Sequence, residues 1–361
     1  MATTNDKILN DLIRHKVMLL QYANNQAMQA VSRVISRDKD IKQAIFAALI
    51  EMDSNVWQPA YDNLLAGKLT PVMLDVFIEA ISVINDEIPE LVAHELTYLE
   101  TVISRYMPEE IKPLAPVLTP TVSSTIRQVR NAPVMGIKIS KFPQVLADSA
   151  VKLVTGQIKS KYNAGMSKAQ IVDEITPLNS AFYSRQKANV SAVAKTVVGA
   201  AGSESRDAFM VKNSGIIKCR QWISTLDTHT TPMCITRDLK MYTVAKPVQP
   251  VGHSIPYGAG PGRLHYGCRS EENIVLKGID EMGLSGDFSA ATRASMGGQV
   301  PAGLKYSDWL SKQDDYTKER VLGVTRAALV KSGKMKIPQL YSDTGNMIPL
   351  KQLKIADGAL P

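Results

Sequence analysis

The residues whose types and spacing could do chemistry lie between Trp222 and Arg269. They are Asp227, His229 and Cys234, followed after a Pro/Gly-rich loop by His265, Cys268 and Arg269. His265 and Cys268 have the spacing His-x-x-Cys, which lets one turn aim an imidazole and a thiolate at a common point. Zinc takes four ligands drawn from Cys, His and carboxylate, and thiolates favour it over calcium or magnesium. Cys234, His265 and Cys268 are therefore candidate ligands, with His229 or Asp227 in the fourth position. The loop from Thr236 to Arg263 carries Pro247, Pro250 and Pro256 with Gly252, Gly258, Gly260 and Gly262, and offers few apolar side chains to anchor itself. A structural metal joining its two ends would offset the missing core. The competing reading is two buried free cysteines and an unrelated histidine. His253, in mid-loop, reads as solvent-exposed, and Cys219 as a small buried hydrophobe.

Asp227, His229 and Cys234 also admit a catalytic reading, as a thiol nucleophile with its base. Nothing around Cys234 resembles a nucleophile turn, and no glycine-rich phosphate cradle occurs. Arg269 could bind an acidic group, or pair with Asp227 and hold a hairpin against the knuckle.

The elements that must position these residues are mostly helical. Leu9, Leu12, Ile13, Val17 and Leu20 recur at helical spacing, and a second helix is expected over 40–52. A third is expected to start at Thr70-Pro71, and a fourth to follow a break at Asn85–Pro89. His94, in that fourth helix, has no metal-binding partner near it in sequence and reads as a surface or packed histidine. Pro108, Pro113, Pro116, Pro120 and Pro133 then mark an extended arm without helical period. Helices resume over 143–210, with Ser167 as a cap. One carries Arg185, Lys187, Lys195 and Arg206 on what reads as a solvated face. Glu271 to Lys277 reads as a strand, 287–301 as a loop, and helices return near Tyr306 and over 316–330. The fold class expected is mainly α: a helical N-terminal region (1–107), a Pro-rich arm (108–142), and an α+β domain (143–361). That domain divides into helices (143–210), a small β-hairpin with a zinc-knuckle-like element (216–278) and C-terminal helices (304–356).

The chain has 361 residues, ample for a buried core, and its 45% hydrophobic content argues against wholesale disorder. Aromatics at 6% are sparse, which favours helices over a sandwich or barrel. A formal net charge of +8 suits a protein near nucleic acid, or simply a mildly basic soluble one. No secretory signal and no membrane-spanning run is expected. With only three cysteines, thiols or a metal are expected rather than a disulfide framework.

The ordered set Trp222, Ser224, Asp227, Thr230, Cys234, His265, Cys268 and Arg269 resembles the Mu F-like minor head proteins of tailed bacteriophages, also called head morphogenesis proteins. The resemblance extends upstream to Arg185, Lys195-Thr196 and Arg206, and downstream to Tyr306, Trp309-Leu310, Leu322-Gly323, Arg326 and Ser332-Gly333-Lys334. It covers roughly residues 145–356. His229 stands where the family often has a basic residue, and Leu264 where it usually has Pro. The resemblance implies a virion protein, made in the host cytoplasm, present in several copies at the portal vertex or capsid interior. Its implied partners are the portal protein or major capsid protein, with genomic double-stranded DNA as a further contact. It implies a role in head morphogenesis and in DNA packaging or ejection, and no enzyme. Toxin enzymes fused to such domains are not expected here, since the chain ends shortly after Leu353. The alternatives are a nuclease or ADP-ribosyltransferase-like enzyme using Asp227, His229 and Arg269, or a DNA-binding module.

Overall fold

A computed structural model describes residues 4–107, 112, 116–277, 292–301, 303–342 and 346–356. Pro108 and Pro113 of the expected arm, residues 287–291 of the expected loop and the last residues of the C-terminal region lie outside this set. The fold is mainly helical, with a small antiparallel sheet late in the chain.

The N-terminal region holds α1 (Thr4–Ser36), α2 (Asp38–Ile50) and α3 (Ala60–Tyr106). α3 is one helix of 47 residues that contains both Pro71 and Pro89, so the expected start at Thr70 and the break at Asn85–Pro89 are corrected. Each Pro removes one backbone hydrogen bond. An unbroken apolar stripe outweighs that loss: Leu65, Leu69, Met73, Val76, Phe77, Ala80, Ile84, Ile88, Leu91, Leu96 and Leu99 are all buried.

The arm is also corrected in part. Residues 116–121 are extended, but α4 (Val122–Asn131) fills the interval between Pro120 and Pro133. Twelve residues without proline leave room for a short helix, and Thr125 and Val129, four apart, bury its inner side. α5 (Phe142–Asn163), α6 (Lys168–Ile175) and α7 (Ala181–Lys212) follow. Ser167 caps α6 as expected: its side chain accepts from the Gln170 amide while the Gln170 side chain accepts from the Ser167 amide.

One hydrophobic core takes side chains from α1 to α7, so the helices before and after the arm share it. The sheet closes one end. Its strands β1 (Ile217–Ile223), β2 (Met241–Tyr242), β3 (Pro250–Val251) and β4 (Glu271–Leu276) lie in the order β3-β2-β1-β4, all antiparallel. β4 lies against α1, where the Leu276 amide donates to the side-chain oxygen of Asn5 at 3.2 Å.

α7 is buried across its last turns, including Glu204, Arg206 and Asp207. Each is paired with a residue of the loop or sheet that follows: Glu204 with Arg263, Arg206 with Glu271, and Asp207 with Arg220. Arg206 is therefore not on a solvated face, because the close of the sheet covers it; Arg185 and Lys195 are exposed.

Residues 292–301, expected as loop, form a hairpin of β5 (Thr292–Ser295) and β6 (Gly298–Pro301). The stretch lacks the β-branched alternation by which strands are read. The C-terminal helices are α9 (Tyr306–Ser311), α10 (Asp315–Leu322), α11 (Val324–Lys331) and α12 (Leu350–Ala356), after a short α8 (Pro232–Ile235) within the loop of the central window. They build a second core from Tyr306, Trp309, Leu310, Leu322, Leu329 and Leu340, to which the central window contributes Leu226 and Ile235. Gly323, at φ 78°, joins α10 to α11 in a conformation that favours glycine. Among the described residues, no helix is long and apolar enough to cross a membrane.

Candidate metal centre

β1 and β4 pair antiparallel with Ile223 opposite Glu271, so the end of one strand meets the beginning of the other. Chain leaving β1 and chain entering β4 are thereby brought side by side. The first carries Ser224, Asp227 and Cys234; the second carries His265, Cys268 and Arg269. Sheet register is thus what brings together residues more than thirty positions apart.

α8 lifts Cys234 into the cluster. The Ser224 hydroxyl donates to the Cys234 carbonyl at 2.8 Å, and the Asp238 carboxylate accepts from the Ser224 amide at 3.0 Å. On the opposite side, the Gly267 amide donates to the Thr196 hydroxyl of α7 at 3.0 Å. Beneath the sulfurs lies a small aromatic core of Trp222, Tyr242 and Tyr257, with the Arg237 guanidinium 5.7 Å from the centre of the Trp222 ring. Tyr257 is buried, which pushes its phenol well up and keeps it a donor to Glu272.

The Cys234 sulfur lies 3.1 Å from His265 Nε2 and 3.7 Å from the Cys268 sulfur. A tetrahedral zinc with ordinary bond lengths needs sulfurs about 3.8 Å apart and sulfur to nitrogen about 3.5 Å. His265 Nδ1 faces the Tyr266 carbonyl at 3.0 Å, so it carries the hydrogen and leaves the Nε2 lone pair toward the sulfurs. This is the tautomer a metal ligand requires. The hydroxyls of Thr231 and Ser270, buried without another hydrogen-bond partner, lie beside the Cys234 sulfur and favour its charged form.

The two sulfurs lie within hydrogen-bond distance of each other. The hydrogen bond from Cys234 holds Cys268 well below the ordinary thiol range, against the effect of burial, and His265 adds to it. The same bond, with burial, pushes Cys234 up. Burial pulls His265 down, but its contacts with Cys268 and the Tyr266 carbonyl outweigh this and the net direction is up. The cluster brings two cysteine sulfurs beside an imidazole, a donor set for a soft or borderline divalent cation. Cys234, His265 and Cys268 form a buried group that could hold a metal ion.

The other sequence candidates lie apart. His229 is exposed and does not join the three, because its backbone is turned outward by a local bond from its amide to Asp227 Oδ1 at 2.9 Å. Asp227 is buried, and its carboxylate is taken by Arg269 in a two-pronged ion pair, with Arg269 Nη2 to Oδ1 at 2.7 Å, and by the Thr230 hydroxyl at 3.1 Å. Of the two roles open to Arg269, pairing with Asp227 is the one observed. No fourth His, Cys, Asp or Glu completes the group among the described residues.

His253 is half-buried rather than solvent-exposed, with Nε2 donating to the Met241 carbonyl at 2.8 Å and Nδ1 accepting from the Ile255 amide at 3.2 Å. Cys219 is buried on β1, its sulfur 3.6 Å from that of Met241.

Sequence reasoning missed a second group. His15 on α1 and His94 and Glu95 on α3 also bring their ligand atoms within 4.8 Å of one another. The spacing within either helix gives no sign of it, since the partners are about eighty residues apart. Compared with family models, with curated proteins and with solved structures, the chain matches none.

Proposed function

We propose that the chain is a structural minor head protein of a tailed bacteriophage, acting in head morphogenesis at the portal or capsid interior. The resemblance in sequence order supplies this reading. One observation supports it: the residues that carry the resemblance serve each other as framework. Trp222 lies under the cysteines, Ser224 holds α8, and Arg269 neutralises Asp227. Tyr306 of α9 reaches back to the Asp227 carbonyl at 2.6 Å and stacks edge-on with Trp309. Set out along the sequence, these residues look like parts of an active site; folded, they are occupied with one another.

In this reading the metal of the Cys234–His265–Cys268 group is zinc, and its role is structural. The three residues would hold it, and it would fasten the two ends of the 236–263 loop. Contacts to the portal or capsid protein and to genomic DNA belong to the same proposal, the last supported by the net charge of +8. The enzyme reading is weaker, because both Asp227 oxygens are engaged by Arg269 and the arginine is committed to that pair.

Two measurements test the proposal. Mass spectrometry of purified heads of the phage carrying this gene should find the chain in several copies, and its absence from heads would end the assembly reading. Metal analysis of purified protein should find at least one zinc per chain, and Cys268→Ser should lose one equivalent. A metal-free parent that is fully folded would end the zinc reading. Binding to DNA that does not weaken with salt would remove the DNA contact.

A further inference from the structure

The group on α1 and α3 has the features of a second, separate metal site. His15 is buried, with its Nε2 against Glu95 Oε1. Its ring is stacked on Tyr98 at 3.8 Å between centres, and Tyr98 is itself fixed by donating to the Asp11 carbonyl at 2.6 Å. Glu95 is fully buried, and its Oε2 has no hydrogen-bond partner; the Arg206 guanidinium stands 3.9 Å away. That distance is an ion pair without a hydrogen bond, so Oε2 keeps a free lone pair while its charge is balanced. His94 is exposed, its ring 5.5 Å from that of His15.

The three residues stand beside a cavity of about 270 Å³ whose lining includes His15, Tyr22, Glu87, Glu90, Leu91 and His94. Glu87 is oriented by the Tyr22 hydroxyl, which donates to its Oε2 at 3.0 Å. The cavity is therefore acidic on one side and apolar on the other, and its inner wall carries an imidazole backed by the buried carboxylate. An anion in the cavity would meet Glu87 and Glu90. A cation meets two imidazoles and a carboxylate, the donor set of divalent transition ions.

We infer that His15, His94 and Glu95 bind a divalent transition cation of the Zn²⁺, Co²⁺ or Ni²⁺ type, with the remaining coordination positions open to the cavity beside them. The site pins α1 to α3 in the helical region, which the resemblance to head proteins does not cover. It uses no residue of the cysteine cluster, so it stands or falls separately.

Cobalt titration of the untagged, chelator-stripped full chain separates the two sites, because thiolate ligation gives an intense near-ultraviolet charge-transfer band and imidazole–carboxylate ligation does not. The parent should take up one equivalent with that band and one without it. His94→Gln, at an exposed position, should remove the band-free equivalent and leave the other unchanged. Glu87→Gln, which leaves the three ligands in place, should weaken the band-free equivalent several-fold. The inference is overturned if the parent takes up no band-free equivalent, or if that equivalent survives in His94→Gln. A parent that shows only the band-free equivalent would sustain this site and remove the cysteine one.

Discussion

Replacing Gly262 with Ala should detach the loop that leads to His265 and Cys268 from α7. Gly262 sits at φ +76°, and a Cβ placed there would stand 2.7 Å from the Gly199 carbonyl oxygen and 3.1 Å from its carbon. Those atoms are helix backbone and cannot rotate away. The left-handed conformation costs a non-glycine residue roughly 1–2 kcal/mol. Forcing packed backbone apart costs about 1–3 kcal/mol more. The sum is about 2–5 kcal/mol, a large share of the stability of an ordinary domain. The reverse substitution, Gly199→Ala, is a control. Its Cβ would lie 3.3 Å from the Gly262 oxygen, but Ala gains about 1 kcal/mol of helix propensity over Gly, so the net change should be within about 1 kcal/mol. Urea unfolding at fixed free zinc reads both, and chelator competition reads metal affinity. Gly262→Ala should shift the midpoint down and release metal more readily, since Cys268 and Gly267 are held against the same stretch of α7. If Gly262→Ala stays within about 0.5 kcal/mol of the parent, the size of an ordinary surface change, the close approach of loop and helix is not what holds the centre.

Further outcomes follow from the same geometry. In a His94→Gln background, which leaves only the cysteine group, the melting temperature should rise with free zinc, gaining about 1.4 kcal/mol of stability per tenfold excess over Kd, whereas adding Cys268→Ser should give one melting temperature throughout. Asp227→Asn should cost about 1–3 kcal/mol in urea unfolding by weakening the pair with Arg269, while zinc content stays at the parent value. For His253, burial holds the imidazole below its ordinary value of 6.5, and protonating Nδ1 would break its bond from the Ile255 amide. The unfolded chain then binds the proton more readily than the folded one. His253 should therefore add nothing unfavourable above pH 6.5 and should destabilise the fold as pH falls below it. Comparing urea midpoints at pH 7 and pH 5.5, His253→Gln should lose less stability on acidification than the parent, and equal losses would refute this.

The helices were legible wherever one apolar stripe ran at helical spacing, as from Leu9 to Leu20. α3 was misread because Pro71 and Pro89 are local signals, while the stripe that carries the helix through them is long-range. The 292–301 hairpin was invisible because its Gly, Ser and Ala have little strand preference. His-x-x-Cys announced the candidate metal centre because two of its three side chains sit in one turn. The third member, Cys234, depended on strand register, to which the mixed polar and apolar sequences of β1 and β4 give little clue. His229 stays outside the group of three for a related reason: proximity along the chain says nothing about which way a tight turn faces. His15, His94 and Glu95 lacked even one local pair of suggestive spacing, so only helix packing could reveal them.

The hydrogen bond between Asn5 and the Leu276 amide spans 271 positions, and Lys16 pairs with Glu271 in the same seam. A ribosome adding roughly 5–20 residues per second needs about 15–50 seconds to travel that far. For that interval the side of α1 that β4 will cover has no strand against it. α1 waits for the last strand of its sheet, so this part of the chain cannot finish folding in sequence order. A nascent chain stalled before Glu271 should bind chaperones more strongly than one that has passed Leu276.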